Sequence, residues 1–302
     1  MSIRHPIVRF GVLTSTLAAA VMLLAIGSAA AAEGNSPAAV AYGNNPAAGR
    51  TFVHDGNTFY YETYGSGRPI LLIHGNGESI GSFKEQIGVF SRHHTVVAMD
   101  SRGQGKSELG TDRLTYELMT EDTNAFLDHL KLDHVDVLGW SDGGIIGLML
   151  AIHHPDKVAR LAVMGANLQP DAAYPWAIDG IARVRARLTE QLAHADNPKP
   201  LQLQLQLQLQ LLDLEGNQPH IPLADLNGVQ IPVLVMAGDR DVIRDDHTLS
   251  MFHALPKSQL AIFPGTTHMA PAQEPAVFNA TTLKFFDSPF AMPDSKDLGW
   301  FD

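Results

Sequence analysis

The stretch Gly139-Trp140-Ser141-Asp142-Gly143-Gly144 lies between the strand-like run Val135–Leu138 and the apolar run Ile145–Ala151. No other part of the chain constrains the fold as much. A chain that leaves a strand and enters a helix within so few residues must turn sharply at the serine. Such a turn forces the serine into a strained backbone conformation and leaves no room for side chains on its flanks. Glycines on both sides relieve the crowding, and the hydroxyl stands exposed at the strand end. The helix that begins there presents free N–H groups and the positive end of its dipole. The fragment fits G-x-S-x-G, the pattern of a nucleophilic serine on a strand–turn–helix.

The surrounding sequence supplies the strands and helices this turn requires. Two β-rich runs flank Asp55-Gly56-Asn57, a hairpin signal. Short apolar runs follow at Ile70–Ile73, in the stretch ending at Asp100, at Val135–Gly139, at Val158–Gly165, at Ile231–Asp241 and at Gln259–His268. Helical spacing falls between them, over Ser82–Phe90, Thr120–Leu130, Ile145–His153, Asp245–Ala254 and, last, Pro275–Phe286. Apolar strands alternating with helices predict an α/β fold whose parallel sheet is covered on both faces.

The alternation breaks over residues 168–227, which read as an inserted lid. Within the insert, Leu201–Leu212 is a strict Leu-Gln alternation. Alternation is a strand pattern, but Leu and Gln both favour helix, and prolines flank the run. A helix is expected, with Leu201, Leu205 and Leu209 on one stripe and Leu203, Leu207 and Leu211 on the opposite one. Such a helix suits a place between the domain core and another lid element.

Residues 1–32 read as an export signal. Arg4 and Arg9 precede an apolar stretch from Phe10 to Ile26, and Ala30 and Ala32 fit an A-x-A cleavage site before Glu33. An uncleaved anchor is the rival reading. Sec-type export to the periplasm or medium is expected, with no stable membrane insertion after cleavage. Residues 33–49, rich in Ala, Gly, Asn and Pro, read as a flexible leader. The catalytic domain is placed at residues 50–287 and a C-terminal tail at 288–302. Removing Arg4 and Arg9 with the signal takes the net charge from −11 to −13. So acidic a chain lacks the basic patch that nucleic-acid binding needs. It has no cysteine, so thiolate chemistry is excluded. It has no H-E-x-x-H, so a zinc hydrolase is unsupported.

A nucleophilic serine needs a base, and the base needs an orienting acid. Later strand ends offer Asp239 and Asp241, then His268 in a glycine-flanked loop. Two amides are needed for an oxyanion hole. One is that of Asp142, directly after Ser141; the other is that of Asn76, in the glycine loop after the Ile70 strand. The stretch Asp100–Ser107 ends like a phosphate-binding loop, but Asp100 stands where its first glycine belongs, so a structural turn is expected. Asp100 and Arg102 should make local hydrogen bonds there.

The segments HGNG, DSRGQGKS, GWSDGG, GDRD and GTTH occur in the order found in α/β-hydrolases, and the chain resembles that family over about Arg50–Phe286. The resemblance implies the α/β-hydrolase fold and a triad of Ser141, Asp241 and His268. It selects Asp241 as the fourth position of G-x-x-D, and it implies no cofactor. The expected activity is hydrolysis of a small carboxylic ester through an acyl-enzyme. The alternatives are C–C or amide hydrolysis, acyl transfer, or ligand binding without turnover. GWSDGG is similar to the valacyclovir-hydrolase-like branch, which cleaves amino-acid esters. The Asp142 carboxylate, adjoining the nucleophile, has two readings: it caps the helix or pairs with a neighbouring side chain, or it holds a substrate amine.

Overall fold

The computed structural model describes residues 40–194 and 198–299. The expected signal at residues 1–32 lies outside them. The described chain builds one eight-stranded sheet. Its strands are β1 (Gly49–His54), β2 (Asn57–Gly65), β3 (Arg68–Ile73), β4 (His94–Met99), β5 (Val135–Trp140), β6 (Val158–Met164), β7 (Val233–Arg240) and β8 (Ser258–Thr267). They lie in the order β1-β2-β4-β3-β5-β6-β7-β8. The β1–β2 and β2–β4 pairs are antiparallel, and the remaining pairs are parallel.

The helices are α1 (Lys84–Phe90), α2 (Tyr116–Leu130), α3 (Asp142–His153), α4 (Pro175–Leu192), α5 (Lys199–Asn217), α6 (Asp245–Ala254), α7 (Ala270–Gln273) and α8 (Pro275–Asp287). Among the described residues, no helix is long and apolar enough to cross a membrane.

The continuous apolar strands divide between two cores, because neighbouring side chains on a strand point to opposite faces. Leu71, Val137, Leu161 and Val235 face α2, α3 and α6, packing with Phe126, Ile145 and Met251. Ile70, Leu138, Ala162 and Leu234 face α1 and α8, packing with Ile87, Phe278 and Phe286. A strand wetted on one face would show polar alternation; these strands show none, as expected for a sheet buried on both faces.

The Leu-Gln run forms the middle of α5, and its two leucine stripes serve two surfaces. Leu205, Leu209 and Leu212 pack against Ile181, Val184 and Leu188 of α4. Leu207, Leu211 and Leu214 join the core beneath α2 and α3. Leu201 and Leu203, near the start of α5, are exposed.

One local expectation differs from the structure, and another is met with further bonds added. Residues 40–48 are not a free leader. Glu62 accepts hydrogen bonds from the amides of Gly43 (2.7 Å) and Asn45 (2.8 Å), and Tyr42 packs on Tyr64. Composition hid this because the anchor, Glu62, lies on another strand. In the Asp100 turn the aspartate bonds locally to the amide of Lys106 and also reaches back to that of Ile80. Arg102 donates to the Leu109 carbonyl in its own loop and also reaches α2, where it pairs through two bonds with Asp122 (2.7 and 2.5 Å).

Candidate active site

The strand order reverses about β3, whose two neighbours are β4 and β5, so the loops leaving β3 and β5 diverge above the carboxyl end of the sheet. Open α/β sheets place their sites in such crevices. Here the glycine loop after β3 meets the turn between β5 and α3.

Ser141 occupies that turn with φ 56° and ψ −119°. Positive φ is uncommon for a residue bearing a side chain, and such strain clusters at functional sites. The flanking glycines are required by close approach. A Cβ on Gly139 would strike the Gly143 carbonyl, and one on Gly143 would strike the carbonyl of Ile73. Gly75 passes so near that an added Cβ would lie 3.2 Å from that of Ser141.

Asp241 and His268 come from the ends of β7 and β8. Asp241 Oδ1 lies 2.7 Å from His268 Nδ1, and the aspartate also accepts from the amides of Ile243 and Gly238. Asp239, the other candidate acid, accepts instead from the amide of Gly265 at 3.0 Å. Burial opposes ionisation of Asp241, but the charge and hydrogen bond of His268 outweigh it and hold the carboxyl below its ordinary range. Burial likewise opposes protonation of His268. The charge and hydrogen bond of Asp241, followed by the charges of Glu78 and Glu215, raise the imidazole above its ordinary value.

Ser141 and His268 are not joined by a hydrogen bond among the described contacts. Their loops are tied by the residue between the strand and the serine: the buried Trp140 indole N–H donates to the carbonyl of His268 at 2.9 Å. Catalytic hydrogen bonds commonly tighten only with substrate in place. Gly165, after β6, closes the other side of the imidazole; it has φ +64°, and a Cβ there would lie 2.6 Å from His268 Nδ1. Trp140 lies within GWSDGG, but nothing in that motif points to its bond with the His268 carbonyl, and Gly165 carries no signal beyond its position at a strand end.

The amide donors sort by elimination. Ser141 spends its own N–H on the Met164 carbonyl. In the β3 loop the amides of Gly75 and Gly77 donate to Glu78 and Gln104. The amides of Asn76 and Asp142 have no acceptor among the described residues, so both can point at a developing oxyanion. His74 fixes this loop. Its Nε2 accepts from the amide of Ser101, so Nδ1 carries the proton and donates to the Gly75 carbonyl.

Of the two readings of the Asp142 side chain, the geometry shows the pairing with neighbouring side chains. The residue is 3% exposed, and both carboxylate oxygens are engaged: Oδ1 by the Tyr116 hydroxyl (2.8 Å) and Oδ2 by Asn76 Nδ2 (2.9 Å). Burial pushes the carboxyl up despite these bonds. Asp142 is therefore an internal anchor. It locks the β3 loop to α2, and Asn76 carries the link on to the lid by donating to the carbonyl of Leu211 on α5. The sequence placed this carboxylate near the nucleophile but could not show that Tyr116 and Asn76 would occupy it.

The pH dependence of a reaction based on His268 follows from these charges. A base must be neutral, and the folded pKa is raised, so activity should be complete at high pH. It should be lost as pH falls through a value above the ordinary imidazole value of about 6.5. Glu78→Gln should shift this acid limb downward, because the Glu78 charge favours the imidazolium. A pH profile of kcat/KM for both proteins checks this; an unmoved or rising midpoint in the variant contradicts it.

A family model for the alpha/beta hydrolase fold matches residues 68–220. The protein named "Putative carbamate hydrolase RutD" in Azorhizobium caulinodans is 25% identical over 268 residues, covering 78% of this chain and 97% of that one. A 2-hydroxy-6-oxo-6-(2'-aminophenyl)hexa-2,4-dienoic acid hydrolase of Metapseudomonas resinovorans is 31% identical over 153 residues, 46% of this chain and 52% of that one. Among solved structures, a serine hydrolase involved in carbazole degradation superposes with a TM-score of 0.65 at 25% identity, covering 79% of this chain and 98% of the other.

Proposed function

The chain belongs to the α/β-hydrolase fold family, and we propose that it is a serine hydrolase acting on a small carboxylic ester. Ser141 attacks the acyl carbon while His268 Nε2 takes its proton. Asp241 orients the imidazole through Nδ1 and stabilises its cationic form. The amides of Asn76 and Asp142 hold the oxyanion of the tetrahedral intermediate. His268 then protonates the leaving alcohol, and water activated by the same base releases the acyl group and restores Ser141. No cofactor takes part in these steps. The observation that carries the reading is the 2.7 Å Asp241–His268 contact beside a serine held at positive φ on a strand–turn–helix.

The similar proteins bear names of carbamate, dienoic acid and serine hydrolases. A carbamate or amide carbonyl could enter the same steps. An ester is favoured as the principal substrate because its alcohol is the better leaving group. Turnover of a panel of small chromogenic esters, lactones and carbamates by the purified protein tests this. Esters should lead; turnover confined to carbamates would replace the substrate class, and no turnover of any would remove the hydrolase reading.

Export is proposed on the sequence of residues 1–32. N-terminal sequencing of protein from its native host should find Glu33 or Ala32 outside the cytoplasm. An intact Met1 in the membrane fraction would support the anchor reading instead.

A further inference from the structure

Asn76 serves the oxyanion hole with its backbone N–H, while its side chain is engaged elsewhere. A carboxamide nitrogen carries two donors. Asn76 Nδ2 reaches two acceptors, Asp142 Oδ2 at 2.9 Å and the carbonyl of Leu211, on α5, at 3.1 Å. Neither acceptor is loose. Asp142 is buried and held by the Tyr116 hydroxyl, and Leu211 is buried in the core beneath α2 and α3. Glycines flank Asn76, and Gly77 has φ +69°. Glycine restrains a backbone least, so the direction of the Asn76 N–H depends on bonds rather than on sterics. His74 and the Glu78 amide hold the carbonyl half of that peptide plane, at Gly75. The Asn76 carboxamide holds its Cα end.

The lid is fastened to the same corner twice more. Gln210 Oε1 accepts from the amide of Leu114 at 3.1 Å. Gln218 Oε1, at the end of α5, accepts at 3.3 Å from the amide of Tyr116, the first residue of α2. Leu207 of α5 also lies against the Asp100–Ser107 turn, where a Cβ on Gly103 would come within 3.1 Å of it. From that turn Gln104 takes the amide of Gly77. The helix thus touches Asn76 directly, and also Tyr116 and the turn that hold its neighbours. A shift of α5 must stretch the Asn76 bond to Leu211 or carry the β3 loop with it.

We propose that Asn76 is a positioning residue that ties the oxyanion hole to the lid: its carboxamide, bonded to Asp142 and to the Leu211 carbonyl together, aims its own amide at the oxyanion only while α5 is seated. The proposal rests on the serine-hydrolase reading and gives the Leu-Gln helix a role beyond covering the site. The amide is needed in the tetrahedral intermediate more than in the ground state. Misaiming it therefore lowers kcat and leaves KM nearly unchanged.

The test measures kcat and KM for p-nitrophenyl butyrate, and inhibition by butylboronic acid, in four purified proteins. They are the parent, Asn76→Ala, the pair Gln210→Ala with Gln218→Ala, and all three changes together. The boronic acid probes the hole. Ser141 Oγ adds to boron, the serine proton passes to His268, and an oxygen of the anionic tetrahedral adduct takes the place of the oxyanion.

Asn76→Ala keeps the backbone N–H. It should lower kcat by about 10- to 100-fold, less than the roughly 10²–10³ typical of deleting a donor outright. KM should stay within about threefold, and boronic acid binding should weaken by the same factor as kcat/KM. A merely structural contact would lower thermal stability without that parallel loss. In the glutamine pair, Leu207, Leu211 and Leu214 keep α5 near its place. That pair should still lower kcat by about 3- to 10-fold, the range of a single hydrogen bond, although its bonds go to Leu114 and Tyr116 rather than to the β3 loop. In the triple variant the glutamine changes should cost nothing beyond Asn76→Ala, because the lid then has no bond through which to act. A kcat in Asn76→Ala within about threefold of the parent, a raised KM at unchanged kcat, or effects that simply add in the triple variant overturns the proposal. If Asn76→Ala does not fold, the glutamine pair decides alone, and unchanged kcat and boronic acid affinity overturn it. Turnover and boronic acid binding by the parent report on the serine reading, and the comparison among variants reports on Asn76, so the two can fail independently.

Discussion

Ser141→Ala is expected to lower kcat for a small chromogenic ester by about 10⁴–10⁶ and to abolish fluorophosphonate labelling. Circular dichroism and thermal unfolding should change little. Alanine meets the same backbone strain at φ 56° as serine does, and the crowding around the turn involves the backbone of Gly139, Gly143 and Ile73 rather than the hydroxyl. The substitution thus removes the nucleophile and leaves its frame. The amides of Asn76 and Asp142 remain, so a residual rate of about 10³–10⁴ over water would be unsurprising. Full activity in a preparation free of contaminating esterase would end the serine mechanism.

The second large effect concerns the acid. Asp241→Asn should reduce kcat by roughly 10⁴, because an amide facing Nδ1 favours the imidazole tautomer that cannot accept the serine proton. The 2.7 Å contact to His268 belongs to Asp241. Asp239→Asn should cost less than about tenfold, since Asp239 only receives the amide of Gly265 and an asparagine oxygen can still do so. A larger loss at Asp239 than at Asp241 would reverse the assignment. The acid limb separates the two as well. Asp241→Asn removes the main charge that favours the imidazolium, so the residual activity should persist to lower pH than in the parent.

The parts of this molecule legible in its sequence are those set by local rules. The glycine spacing around Ser141 announces a tight turn because the crowding it relieves arises within a few residues and the adjoining strand. The apolar strands announce a sheet buried on both faces. The Leu-Gln run was decidable as a helix because propensity opposes the strand pattern. Its two stripes followed from helical periodicity, with Leu205 and Leu209 against α4 and Leu207 and Leu211 against the core.

What sequence reading missed depends on partners far apart in the chain. Glu62 captures residues 43–45 across the sheet, and Arg102 pairs with Asp122 on α2 as well as with its own loop. Asp142 is filled by Tyr116 and Asn76, neither of which adjoins it in sequence. Trp140 bonds to the carbonyl of His268 across 128 positions.

The most direct measurement is fluorophosphonate modification of the purified chain followed by mass mapping of its peptides, with ester turnover followed in parallel. A single adduct on the peptide carrying Ser141, appearing at the rate at which turnover is lost, is the expected result. Turnover that persists while Ser141 is fully modified, or inactivation that tracks an adduct on another residue, would contradict a Ser141 nucleophile.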